Sequence, residues 1–350
     1  MIALWYGILA TMITTYVVLD GRNFGAGILH WIVARTPAER RQVIAAIGPL
    51  WSWHEVWLVG TGGVMAMSFP RLMAVGFSGY YLALFLILWC VVLRGISIEV
   101  GGHIDDCLWQ TLWDVVFAGS NVLLAVLFGV ALGNVVRGVP LTREGTFHLT
   151  FFTNVFHTRG TVGLLDWYTL SMAGFCVLLL TAHGATYLVM KTEGEVHRRA
   201  DGIARSLWVA AIPAFGLISL LTGVLRPQLL HGLIHRSLAW VPVMICAASM
   251  RALIGGFRQR QERRAFLGST FLLFGLLMTG AVVLFPVLLF STENAADQLT
   301  AFDCAAPAHS LWIATAWWFS ALTLAFIYLF VIQRYYSGKV NVSKDNQGLY

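Results

Sequence analysis

The chain has 350 residues, of which 58% are hydrophobic, 13% aromatic and only 11% charged, whereas soluble domains run about 45–50% apolar and about 25% charged. This composition excludes a soluble globular domain and implies a polytopic, all-α membrane protein whose few charges lie mainly outside the hydrocarbon. The formal net charge of +6 does not point to a nucleic-acid partner, because membrane insertion already concentrates Lys and Arg in cytoplasmic loops.

The opening MIALWYGILATMITTYVVLD has no basic n-region and no clear small-residue cleavage site, so it reads as a retained first helix. A crossing takes about 20 mostly apolar residues. Such runs fall at 4–33, 50–70, 73–93, 115–136, 166–190, 206–225, 237–257, 265–290 and 308–333. The seventh run is broken by Arg251, and the distribution of cations decides in its favour. Nine spans put 16 of the 23 Lys and Arg residues on one side, counting Arg94 and Lys344 among them, whereas omitting the seventh leaves a weaker 14 against 8. The cationic side faces the cytoplasm, so the N-terminus is expected outside and the C-terminus inside. Residues 1–350 are expected to form one integral membrane domain, since no loop is long enough to bury a core of its own.

Ionisable groups inside a membrane are costly and mark function by default. The first span carries Asp20 and Arg22 within LDGRNFGAGILHW, and the second carries His54 and Glu55 within GPLWSWHEVWLVGTGG. Both patches lie in the cytoplasmic halves of their spans and could share one polar pocket. One reading is a proton route, with Asp20 and Glu55 as relay groups and His54 as their partner. The other is a buried ion-pair network, for instance Arg22 with Glu55, which fixes helix register. Asp20 and Arg22 are two residues apart and do not face each other on one helix, so at least one of them needs a partner elsewhere. Gly21, Gly25 and Gly27 sit in a span and not after a strand, so they read as a close-packing face and not as a dinucleotide fingerprint. Gly60, Gly62 and Gly63 are read the same way.

The remaining candidates give blander readings. His30, His54 and His183 could ligate haem iron, but no repeated spacing pairs them, so no haem ligand or metal site is expected in this chain. His103, Asp105 and Asp106 read as a solvated loop end, and five scattered cysteines form no CxxC and no disulfide framework. Trp51, Trp53, Trp57, Trp317 and Trp318 read as interface or packing aromatics, with contact to a quinone ring as the alternative. The run EGEVHRRADGIAR reads as a cationic loop beside anionic lipid. There is no Walker A loop to drive ATP-dependent pumping. A secondary transporter would need interrupted spans at corresponding positions of two halves, and no such pair is evident.

Four segments in order, VLDGRNFGAGIL, ERRQVIAAIGPLWSWHEVWLVGTGG, FSGYYLALFLILWCVVLRGISIE and HGATYLVMKTEGEVHRRA, resemble subunit II of the cytochrome bd-type quinol oxidases, and the resemblance extends to the C-terminal GLY. It implies two four-helix bundles (1–138 and 160–290), a ninth helix (308–335) and a cytoplasmic tail (336–350). It further implies a haem-free chain packed against a subunit I that holds haems b and d, or b-type haems alone, and oxidises quinol, in a prokaryotic inner membrane. Small single-span accessory subunits and bound lipid or quinone are further expected partners. Asp20 and Gly21 match the family's Asp-Gly pair, and Trp51, Glu55 and Trp57 its tryptophan-flanked acidic motif. The sequence departs from the family at Asn23, where an acidic group is usual, at Arg22 beside it, and at Ser52, where the family has Asp and this chain gains His54. Those departures fall where the family's proton access through subunit II is placed. They leave two outcomes open: a route carried by His54 and Glu55, or one closed by Arg22.

Overall fold

The computed structural model describes residues 1–336 and 338–340; Lys344 and the rest of the expected tail beyond 340 lie outside the described residues. The helices are α1 (Ile2–Val33), α2 (Pro37–Ile47), α3 (Trp51–Ser68), α4 (Pro70–Gly79), α5 (Tyr81–Val100), α6 (Cys107–Arg137) and α7 (Trp167–Lys191). They continue with α8 (Gly194–Leu225), α9 (Pro227–His235), α10 (Trp240–Arg258), α11 (Glu262–Leu284), α12 (Ala301–Cys304) and α13 (Ala308–Tyr335). Among the described residues, eight helices are long and apolar enough to cross a membrane: α1, α5, α6, α7, α8, α10 with its leading turn, α11 and α13. The 18-residue α3 is not one of them by composition, because Ser52, His54, Glu55 and three glycines dilute its apolar residues.

Local chemistry explains where these helices start. Thr36 accepts from the Glu39 amide while Glu39 caps back, and Pro37 occupies the first turn of α2. Asp106 caps α6, and Asp166 caps α7 by accepting from the Tyr168 and Thr169 amides. Asp105 and Asp106 therefore serve the start of a helix, Asp105 accepting from the Gln110 side chain.

Three expected boundaries are corrected. The third span was expected at 73–93, but the chain breaks at Tyr80 and the long helix runs Tyr81–Val100. Pro70 opens a separate short helix, and Gly79 ends it against the Phe147 ring, which a Cβ would approach to 2.2 Å. Arg94 consequently lies within α5 and is fully buried, not in an inner loop as the charge count assumed. EGEVHRRADGIAR is not a loop either, because α8 starts at Gly194 and includes most of it. At the eighth span the helix stops at Leu284, and residues 287–289 pair as a short strand, β1 (Val287–Leu289), with β2 (Leu299–Thr300). The doubtful seventh segment is helical, and Arg251 projects from its exposed side, where a long cationic side chain can reach the interface.

Helices α1 and α7 form the centre. The first packs on α3, α6, α7 and α11, and the second on α6, α8 and α11 as well. Their closest approach is at Gly25, where a Cβ would lie 2.2 Å from the Leu180 carbonyl oxygen and 2.7 Å from Gly184 Cα. Gly21 faces Leu180 and Gly27 faces the Asn121 amide. Gly60 faces Met12, whereas Gly62 and Gly63 meet nothing within 4 Å and so take no part in packing inside this chain. At the far end from α2, Arg137 pairs with Asp166 and with Asn134, and Arg226 donates to the Arg137 carbonyl. This knot ties the 138–166 connection to the ends of α6, α7 and α8.

Candidate functional site

The two polar patches converge. Asp20, Arg22 and Asn23 of α1 and His54 of α3 are all buried within one cluster, and Glu55 is its half-buried member. Asn23 Nδ2 donates to Asp20 Oδ1 at 2.8 Å and lies 2.8 Å from His54 Nδ1. Arg22 Nη2 lies 2.5 Å from His54 Nε2, and its guanidinium stacks over Tyr187 of α7 at 4.9 Å. Arg22 does not pair with Glu55 as the ion-pair reading supposed. That position belongs to Arg94, whose Nη2 is 2.7 Å from Glu55 Oε1 and 2.9 Å from Asp20 Oδ2. The first contact is a hydrogen bond; the second is an ion-pair contact outside hydrogen-bond geometry, since Asp20 Oδ2 has no hydrogen-bond partner.

The cluster holds two arginines and two carboxylates and so carries no net charge when all four are ionised, although only Arg94 touches the carboxylates. His54 is constrained differently. Its Nε2 faces the Arg22 guanidinium, which can only donate, so that nitrogen accepts and the ring proton belongs on Nδ1, towards the Asn23 amide and, at 3.9 Å, Asp20 Oδ1. Ser52 points away from the cluster and is exposed, so the position where the family carries Asp does not line this pocket. Several buried atoms at the cluster lack partners: Tyr16 Oη, Asp20 Oδ2, Arg22 Nε, Asn23 Oδ1, and Arg94 Nε and Nη1. Orphaned polar atoms concentrated in one place mark a site suited to ordered water.

The sequence reading missed Arg94 and Tyr16. A charge normally ends an apolar run, which places Arg94 in a loop; the continuation GISIEV after it is the signal that the helix goes on. A second buried pair was also missed. His30 Nε2 lies 2.9 Å from Asp114 Oδ1, and Arg40 Nε lies 2.8 Å from Asp114 Oδ2, joining α1, α2 and α6. His183 Nδ1 meets Ser269 Oγ at 2.8 Å and its Nε2 meets the Val18 carbonyl at 3.2 Å. Haem ligation needs a ring nitrogen free to reach iron. At His54 and His183 both nitrogens are engaged within the protein, whereas His30 engages Nε2 with Asp114 and keeps Nδ1 without a partner. Among the described residues no group of three or more His, Cys, Asp or Glu side chains could hold a metal ion.

The family model described as cytochrome bd terminal oxidase subunit II matches residues 1–336. The chain belongs to this family. It is 26% identical, over 98% of its length and 95% of the relative's, to cytochrome bd-I ubiquinol oxidase subunit 2 of Escherichia coli K12. It is 29% identical, over 92% of its length and 90% of the relative's, to cytochrome bd ubiquinol oxidase subunit 2 of Bacillus subtilis. The structure of bd oxidase from Geobacillus thermodenitrificans contains a chain with the same fold, at a TM-score of 0.73, 14% identity, and coverage of 96% of this chain and 98% of that one. This chain is thus subunit II of a membrane-embedded, haem-containing terminal respiratory oxidase, an oxidoreductase complex completed by subunit I. Membership in this family leaves the transporter alternative without support.

Proposed function

We propose that this chain is the haem-free subunit of a quinol:dioxygen oxidoreductase and that Glu55 and Asp20 form part of its proton path from the cytoplasm. In this reading subunit I carries haems b and d, and they supply the redox chemistry. The chain lies in a prokaryotic inner membrane, N-terminus outside and C-terminus cytoplasmic, with its helices grouped as two bundles plus α13. The barely buried α13 and the exposed Phe85, Leu88 and Trp89 of α5 would face subunit I. Single-span accessory subunits would dock elsewhere.

The observation that carries the proton path is that Glu55 and Asp20 share one nitrogen of Arg94, at 2.7 and 2.9 Å. Two carboxylates on the same nitrogen lie within one bridging water of each other. Glu55 is the partly exposed member and Asp20 the buried one, so a proton taken up at Glu55 has an acceptor further in. Arg94 balances the carboxylates while they are ionised, and Tyr16 Oη and Asn23 Oδ1 offer further water partners. His54 is left out of the route, because its Nε2 is held by the Arg22 guanidinium, and is assigned instead to positioning Arg22 and Asn23. The test is quinol-driven oxygen consumption by the assembled oxidase carrying Glu55→Gln, Asp20→Asn or His54→Gln. The first two are expected to slow turnover by about tenfold or more with the haem spectrum intact, and the third by less than about twofold.

A second reading rests on the same clamp. If Arg94 keeps both carboxylates permanently ionised, the cluster is a lock between α1, α3 and α5 and contributes nothing to proton movement. Glu55→Gln would then leave turnover unchanged and lower only thermal stability.

A further inference from the structure

On the outer side of the α10–α11 hairpin, away from the polar cluster, lies an open groove of about 730 Å³. The hairpin is closely packed through glycines: a Cβ on Gly256 would lie 2.4 Å from the Ala265 amide nitrogen, and one on Gly268 would lie 2.5 Å from that of Leu253. Beside this seam the small residues Ala248, Ser249 and Ala252 leave the floor low, and Leu267 and Phe271 rise as apolar walls. The mouth is different in kind, being formed by Arg263 and Arg264.

These arginines have no acidic partner among the described residues. Among the described residues neither they nor their neighbours Arg251, Arg258 and Arg260 form an ion pair. The carboxylate in the same turn, Glu262, is taken by Lys339 at 2.9 Å and approached by His197 at 3.6 Å. Among the described residues Arg264 donates only to the neutral Gln259 and Gln261 side chains. At 1.5 Å per residue, Phe271 lies roughly 11 Å along α11 from the arginines, comparable to one leaflet of a core about 30 Å thick.

We propose that this groove binds an anionic phospholipid of the leaflet that meets the α10–α11 turn, with its phosphate on Arg263 and Arg264 and an acyl chain along Phe271 and Ala248. Guanidinium groups suit phosphate because they can offer paired donors, and an apolar channel opening sideways to the bilayer admits a chain without dehydrating it. Each cation near an anionic headgroup contributes roughly fivefold in affinity, so the pair predicts a preference of about thirtyfold for an anionic over a zwitterionic lipid.

The test uses the purified, delipidated oxidase complex, titrated with phosphatidylglycerol, phosphatidylcholine or glycerol 3-phosphate, with bound molecules counted by native mass spectrometry. Phosphatidylglycerol should be retained about thirtyfold more tightly than phosphatidylcholine, and glycerol 3-phosphate should not displace it. Arg263→Gln with Arg264→Gln should abolish the preference, and Lys at both positions should restore most of it. Ala248→Phe, which fills an exposed part of the groove, should reduce retention of both lipids, and it decides the matter if the arginine variants do not assemble. Equal retention of the two lipids, displacement by glycerol 3-phosphate, retention of quinone instead, or loss of subunit I in Ala248→Phe would each overturn the proposal.

Discussion

Arg94 Nη2 lies 2.7 Å from Glu55 Oε1, and this contact joins α5 to α3 in the interior of the protein. The same atom reaches Asp20 on α1, so three helices meet at one guanidinium. Removing one partner of a buried ion pair is far costlier than removing all of them, because the survivor is left charged and unpaired.

Arg94→Met should therefore destabilise the protein by about 3–5 kcal/mol, read as a large fall in the thermal midpoint of the purified complex. Combining it with Asp20→Asn and Glu55→Gln should recover much of that loss, since no charge is then stranded. A triple variant no more stable than Arg94→Met would show that the cluster's electrostatics are not what holds these helices.

At the α1–α7 crossing, Gly25→Val should prevent the close approach, because a Cβ there falls 2.2 Å from the Leu180 carbonyl oxygen, whereas Gly62→Ala, with nothing within 4 Å, should be tolerated. The yield of monodisperse complex on size exclusion distinguishes them. Equal yields would mean that the helices can separate at Gly25 at little cost.

Asp114 accepts from His30 Nε2 at 2.9 Å, and its other oxygen makes an ion-pair contact with Arg40 Nε at 2.8 Å. Asp114→Asn keeps the shape but loses the charge-assisted bond, worth about 1.5–3 kcal/mol. A thermal midpoint unchanged from the parent would refute a structural role for this pair.

On the surface at the α2 end, Arg199 hydrogen-bonds Glu39 and holds its carboxyl down at about 2, against an ordinary value of 4.5, helped by the Arg35 and Thr36 amides. A lowered carboxyl value stabilises the fold above about pH 4.5, and that contribution fades as the pH falls towards 2. The thermal midpoint of the parent should exceed that of Glu39→Gln at neutral pH by a modest margin, because such a pair is partly screened by solvent. The two curves should converge as the pH approaches 2; a gap that widens on acidification would contradict the assignment.

Much of this was legible in the sequence because hydrophobic length and cation placement act over whole segments. The all-α membrane fold and the helical seventh segment follow from such patterns, and the common depth of Asp20, Arg22, His54 and Glu55 leaves one shared pocket as an option. What was not legible depends on partners far apart in the chain. Arg94 looked like a loop residue because a charge normally ends a span, and only its two carboxylates, on other helices, allow it to stay buried. The same pairing displaced Arg22 from Glu55 and turned it towards His54. At the break by Tyr80, Gly79 lies against Phe147, a residue from a distant connection.

Proton uptake at Glu55 during oxygen reduction is read by reacting the fully reduced oxidase in liposomes with dioxygen. Proton uptake from the compartment facing the α2 end is followed with a pH-sensitive dye in the parent and in Glu55→Gln. The account predicts that uptake slows about tenfold or more in the variant while its haem spectrum is unchanged. Uptake at the parent rate in Glu55→Gln would contradict it and leave the Arg94 cluster as a lock between helices.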